Sequence, residues 1–126
     1  MKNNFSLEKH NLIRAIGELS YVIAKSDGNI SRIEKLVFEE ALKEELGSEA
    51  WLAKDRFDLL AEQGMKASIE ETYHRVLFMF KQNKIALDVD ITEKFINILE
   101  KVAGVSGITD EEIALIERFR ADIAKI

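Results

Sequence analysis

Ala24-Lys25-Ser26-Asp27-Gly28-Asn29-Ile30-Ser31-Arg32-Ile33-Glu34 is a polar hinge between two strongly helical segments. Asp-Gly is a favoured turn dipeptide, and a glycine in the left-handed region ends a helix without a Cβ clash. Ser31 and Glu34 stand three apart, the spacing at which a hydroxyl and a carboxylate satisfy two helix-end amides reciprocally. The hinge therefore closes one helix and opens another. Upstream, Leu12, Ile16, Leu19 and Ile23 recur at steps of three and four, with Ile13 and Val22 widening the stripe. That period predicts a helix from Ser6 to about Lys25. Downstream, Ile33, Leu36, Val37 and Leu42 predict the inner side of a second helix running from Ser31 to Gly47.

The remaining chain repeats this grammar. Ser48 is the expected cap of a third helix carrying Trp51, Leu52, Leu59 and Leu60, with Gly64 closing it. Ser68 opens a fourth, with Ile69, Tyr73, Val76, Leu77 and Phe80 inward, and Asn83–Asp88 carries no clear element. Asp90 is the expected cap of a fifth, with Ile91, Phe95, Ile98, Leu99 and Val102 inside, broken by Gly104 and Gly107. Thr109 caps a sixth, with Ile113, Ile116, Phe119 and Ile123 inside, and Ile108 and Ile113 are placed as a hydrophobic staple. Ser31/Glu34, Ser68/Glu71, Asp90/Glu93 and Thr109/Glu112 all have capping-box spacing. No segment alternates as a half-buried strand does. The expected fold is all-α, about six helices in a single domain spanning 1–126.

Helix one superimposes on helix five in register. Ile16 meets Phe95, Leu19 meets Ile98, Ile23 meets Val102, Ala24 meets Ala103 and Gly28 meets Gly107. After one residue lost from the second turn, Ile30 meets Ile108, Ser31 meets Thr109 and Glu34 meets Glu112. A glycine, an isoleucine, a hydroxyl cap and a glutamate agreeing in order predict two repeated helical hairpins packed around one core, with helices three and four inserted between them.

At 126 residues and 47% hydrophobic, the chain is long enough to bury roughly two thirds of its unfolded surface. It has no cysteine, which excludes disulfides, thiolate zinc sites and a cysteine nucleophile. A net charge of −5 argues against a phosphate-backbone binder, so no nucleic acid is expected. The longest apolar run, Val76–Phe80, is far too short for membrane insertion, and the N-terminal residues lack a signal-peptide core. The default expectation is a cytoplasmic protein. No phosphate loop, nucleophile elbow or zinc helix occurs, so no enzyme activity is expected.

The two hinges resemble the hallmark of the TerB family of tellurite-resistance-associated helical proteins, whose fold is similar to the N-terminal domain of the DjlA co-chaperone. The family pattern is Ala-x-Ala-Asp-Gly-x-Ile-Ser-x-x-Glu, present twice. The first copy here is the stretch quoted above; the second reads Ala103-Gly104-Val105-Ser106-Gly107-Ile108-Thr109-Asp110-Glu111-Glu112, one residue shorter and with Ser106 in the aspartate position. The resemblance implies a non-enzymatic stress or tellurite-resistance protein. It also implies a divalent cation, calcium or magnesium, at Asp27 and Glu34, with Glu112 in the second copy.

The residues themselves leave two readings open. Asp27, Asn29, Ser31 and Glu34 are hard oxygen donors of the kind calcium and magnesium prefer. The spacing is not that of an EF-hand, since Arg32 stands where its glycine belongs and Phe38 where its bidentate glutamate belongs. Equally, Asp27 suits a turn beside a helix N-terminus, and Ser31 with Glu34 suits a cap. The alternative function is an interaction module. Six glutamates (34, 39, 40, 44, 45 and 49) against Lys35 and Lys43 make Glu34–Glu49 an acidic face for a basic protein partner or a homodimer. His74, on one helical face with Glu70 and Glu71, could supply half a metal site, whereas Trp51, Phe57, Tyr73, Phe78 and Phe80 are expected in the core.

Overall fold

The structure is a computed structural model that describes residues 6–25, 30–63, 68–105 and 109–126. Among these are six α-helices and no strand: α1 (Ser6–Lys25), α2 (Arg32–Leu46), α3 (Ala50–Gln63), α4 (Ile69–Gln82), α5 (Val89–Ala103) and α6 (Asp110–Ala124). Single 3₁₀ turns at Gly47–Glu49 and Lys84–Ala86 make two of the connections. The all-α expectation holds.

The centre of the fold is α1. From Leu12 to Ala24 every residue except Arg14 is buried, as expected of a helix enclosed on several sides. It packs along α3, α4 and α5, while α2 lies on α5 and α3, and α6 lies on α5 and α4. Two aromatic clusters lock these layers. Phe38 of α2 stacks on Phe57 of α3 at 4.3 Å between centroids, and Tyr21 of α1 meets Phe57 edge-on at 5.5 Å. Phe80 of α4 meets Phe95 of α5 at 5.8 Å and Phe119 of α6 at 5.3 Å, both edge-on. Offset and edge-on geometries of this kind add to the stabilisation that burial alone provides.

Gly17 lets α1 and α3 approach. A Cβ added there would lie 2.9 Å from Ala53 Cα and closer still to the Ala53 carbonyl oxygen, both backbone atoms. Gly47 ends α2 at φ +58, a conformation glycine adopts without steric cost. Gly104 is the C-cap of α5, its amide donating to the Glu100 carbonyl, while Gly28, Gly64 and Gly107 lie outside the described residues.

Several sequence expectations are corrected. α5 starts two residues early: Asp88, not Asp90, is its N-cap, its carboxylate accepting from the Ile91 amide at 2.8 Å. Asp90 sits in the first turn, and no Asp90/Glu93 box forms. Ser48 lies inside a 3₁₀ turn and caps nothing. Ile33, Leu36, Trp51, Leu59 and Phe78 are exposed, not core, and Ile69 and Ile113 are partly so. Periodicity marks a stripe without fixing its width, and these residues fall on its outer margin. α3 and α4, the segment inserted between the two hairpins in sequence, are part of the central packing. They cover α1 directly, and α2 packs on α5 instead of folding back along α1, so the hairpins meet chiefly through α5.

Candidate functional site

Both hinge glutamates fold into capping boxes. The Ser31 amide donates to Glu34 Oε1 at 2.7 Å while the Glu34 amide donates to Ser31 Oγ at 3.0 Å. In the second copy, the Thr109 amide donates to Glu112 Oε1 at 2.9 Å and the Glu112 amide to Thr109 Oγ1 at 3.1 Å. Glu34 is 4% exposed and Glu112 is 1% exposed. The third box, Ser68 with Glu71, has the same geometry but an exposed glutamate, whose carboxyl is held below its ordinary value by the Ser68 amide and hydroxyl. Burial thus sets the two hinge boxes apart, in keeping with the internal repeat.

Thr109→Ala is expected to cost about 1–2 kcal/mol, because it removes a cap in front of a buried carboxylate. Ser68→Ala should cost less, since water replaces its hydroxyl at an exposed box. Urea denaturation of the two variants checks the ordering.

Asp27 lies outside the described residues, as do Asn29, Ser106 and Ile108. Among the described residues, no group of three or more His, Asp or Glu is placed to hold a metal ion. Glu34 and Glu112 each commit one carboxylate oxygen to a backbone amide.

The acidic stretch is neutralised largely from within. Glu39 pairs with Lys54, Glu44 and Glu45 with Lys101, and Glu49 with Lys9 and His10, while Glu34 is buried in its box. Burial pushes the Glu49 carboxyl up, but the hydrogen bonds and charge of Lys9 and His10 outweigh this and hold it below the ordinary glutamate value. Glu40 remains exposed on the outer face of α2 and pairs with no cation among the described residues. Beside it stand Ile33, 63% exposed, and Leu36, 54% exposed. Positions 33, 36 and 40 share one face at helical spacing. This outward apolar pair was missed at the sequence level because both residues also fit the inward stripe.

His74 and Glu70 do come together, at 3.0 Å. However, Arg118 of α6 holds both Glu70 oxygens, at 2.9 and 2.7 Å, so the carboxylate is already matched by a guanidinium fork. Arg118 also lies 4.2 Å over the ring of Tyr73, whose hydroxyl donates to Asp122 Oδ2 at 2.7 Å. The group ties α4 to α6.

Burial, reinforced by the Asp122 carboxylate, pushes the Tyr73 phenol well above its ordinary range. A folded value above the unfolded one means that this stability is fully present below about pH 10, the unfolded tyrosine value, and is lost as pH rises through the folded value. Tyr73→Phe is expected to cost about 1 kcal/mol at neutral pH and to flatten the alkaline decline. Denaturant melts between neutral and strongly alkaline pH measure both effects.

Two adjoining clefts open on the opposite end of α5 and along α4–α6. One, of about 740 Å³, is mainly apolar, walled by Ile85, Leu87, Val89, Ile123 and Ala124; of its charged lining residues, Glu93 pairs with Arg120 and Asp88 caps α5, while Lys84 stands at its edge. The other, of about 650 Å³, is lined by His74, Lys81, Lys84, Arg118, Asp122 and Lys125. No helix among the described residues is long and apolar enough to cross a membrane. No protein-family model matches the chain, and no curated protein or solved structure is significantly similar to it.

Proposed function

We propose that this chain is a non-enzymatic helical module that works by docking a protein partner on the outer face of α2. The observation that carries this reading is the exposure of Ile33 and Leu36 beside Glu40 on an otherwise well-packed helix. Large apolar side chains grouped on one face favour association. The duplicated hinge supports the TerB-like reading with its stress-response setting, and within that reading the buried glutamates are first a folding device.

Because most glutamates of the acidic stretch are paired internally, the contact is expected to be apolar in origin and insensitive to salt. A partner retained by the immobilised chain at low salt should still be retained at roughly 1 M salt, where charge interactions are screened within a few ångströms. It should be lost from Leu36→Glu, an exposed substitution that leaves the thermal melt unchanged. Loss at high salt, or retention by Leu36→Glu, contradicts the proposal.

The cation reading has its own test. Calcium or magnesium titrated calorimetrically should give no more heat with wild type than with Asp27→Asn/Glu34→Gln. A saturable heat in wild type that the double variant lacks would restore the ion to the hinge.

A further inference from the structure

The lysines of this acidic protein are unevenly distributed. Lys9, Lys35, Lys54, Lys94 and Lys101 each lie beside a carboxylate. Lys25, Lys43, Lys81, Lys84 and Lys125 pair with none among the described residues. Of those five, Lys81, Lys84 and Lys125 line one cleft, the 650 Å³ groove between α4 and α6. Its other charged groups are already engaged: His74 with Glu70, Arg118 with both Glu70 and Asp122, and Asp122 also with the Tyr73 hydroxyl. Three ammonium groups that pair with no carboxylate among the described residues thus face a space of small-molecule size in a chain of net charge −5.

The apolar cleft continues from it, with Lys84 and Ile126 lining both. Ile85 and Val89, the latter 80% exposed, stand on its wall with nothing packed over them. Charge complementarity on one side and an uncovered hydrocarbon wall on the other, joined at Lys84, define an occupant with an anionic head and an apolar tail. A phosphate head suits the lysines best, since it carries up to two negative charges and lysine binds it as a point charge.

We infer that the paired clefts bind a single-chain amphiphile bearing a phosphate head, which Lys81, Lys84 and Lys125 hold while its tail lies against Ile85, Val89 and Ile123. This site is separate from the α2 face and stands or falls independently of it.

The probe is dodecyl phosphate below its critical micelle concentration, titrated by calorimetry and by amide chemical-shift mapping of the whole chain. Saturable binding is expected, with shifts confined to residues around 81–89 and 118–126. Affinity should fall roughly tenfold in Lys84→Glu/Lys125→Glu and by a similar factor in Val89→Asp. All three positions are exposed, so unchanged thermal melts separate lost binding from lost fold. Inorganic phosphate and a neutral-headed dodecyl detergent should each bind at least roughly tenfold more weakly than the probe, and raised salt should weaken the probe. Equal binding of inorganic phosphate would overturn the proposal in favour of a bare anion patch. Binding to anionic vesicles without binding to the monomeric probe would overturn it in favour of a membrane surface. Binding of an acidic peptide at these residues, with no binding of dodecyl phosphate, would overturn it in favour of a protein ligand.

Discussion

Gly17→Ala is expected to lower stability by about 2–3 kcal/mol, which for a chain of this size is a fall of roughly 10 °C in Tm. The sign runs against helix propensity, since replacing glycine by alanine inside an exposed helix stabilises by about 0.5–1 kcal/mol. Here the added methyl meets the Ala53 backbone, with Ala53 Cα 2.9 Å away and the carbonyl oxygen nearer. No rotamer change relieves a contact with backbone, so α1 and α3 must separate along their length. That separation would open the contact of Tyr21 with Phe57 and leave voids in the most heavily packed part of the core. Because the clash is with backbone, Ala53→Gly should not rescue Gly17→Ala. Urea melts of the single and double variants, with the m-value held constant, decide the matter. A stabilised Gly17→Ala would mean that α1 and α3 do not cross there.

Glu18→Ala is the second large effect, expected to cost about 2–3 kcal/mol. Glu18 is 2% exposed on the central helix, with Arg75 of α4 donating to Oε1 at 3.1 and 2.7 Å and Arg56 of α3 bonded to Oε2. The carboxylate thus clamps two neighbouring helices to α1. Removing one member of a buried pair costs about 3–5 kcal/mol when the partner is left uncompensated. The lower figure is expected because both guanidinium groups are partly exposed and can turn to water. Glu18→Met fills the same volume but leaves both guanidinium groups without the carboxylate, so it should recover only the cavity part of the loss, about 1 kcal/mol, and remain less stable than wild type. If Glu18→Met is as stable as wild type, the filled space, and not the ion pairs, holds α3 and α4 to the central helix.

How far these features could be read from the sequence varied with their physical origin. Helix starts marked by Ser31, Ser68 and Thr109 were legible because a capping box is local, written within four residues. α5 was misplaced because Asp88 and Asp90 both carry a suitable carboxylate, and only the backbone decides which one caps. The apolar stripe identified Leu12, Ile16, Leu19 and Ile23 but not the enclosure of α1, since Glu18 and Ser20 read as solvent positions until α3 and α4 close over them. Arg56 and Arg75 lie 38 and 57 residues from Glu18, and no local pattern foretells such a meeting. The outward placement of Ile33, Leu36, Trp51 and Phe78 was hidden for the same reason: periodicity ranks faces, whereas exposure depends on which neighbours arrive.

The hinge illustrates both sides. Its two glutamates matched in sequence, and in the structure both are buried in the same hydrogen-bonded box, while the equivalent glutamate of α4 is exposed. The residue type suggested a ligand as readily as a cap, because either role uses a carboxylate oxygen. The short bonds to the Ser31 and Thr109 amides show how one of those oxygens is used. The proposed docking surface draws instead on side chains that folding leaves exposed, among them Ile33, Leu36 and Glu40 of α2.

The most direct measurement is site-specific photo-cross-linking in cells, with a photoreactive amino acid placed at position 36 of α2 and, as a control, at exposed position 117 of α6. Irradiation should yield a discrete protein adduct from position 36, identifiable by mass spectrometry as a second copy or another chain, and none from position 117. No adduct from position 36, or the same adducts from both positions, would contradict the assignment of the outer face of α2 as the docking surface.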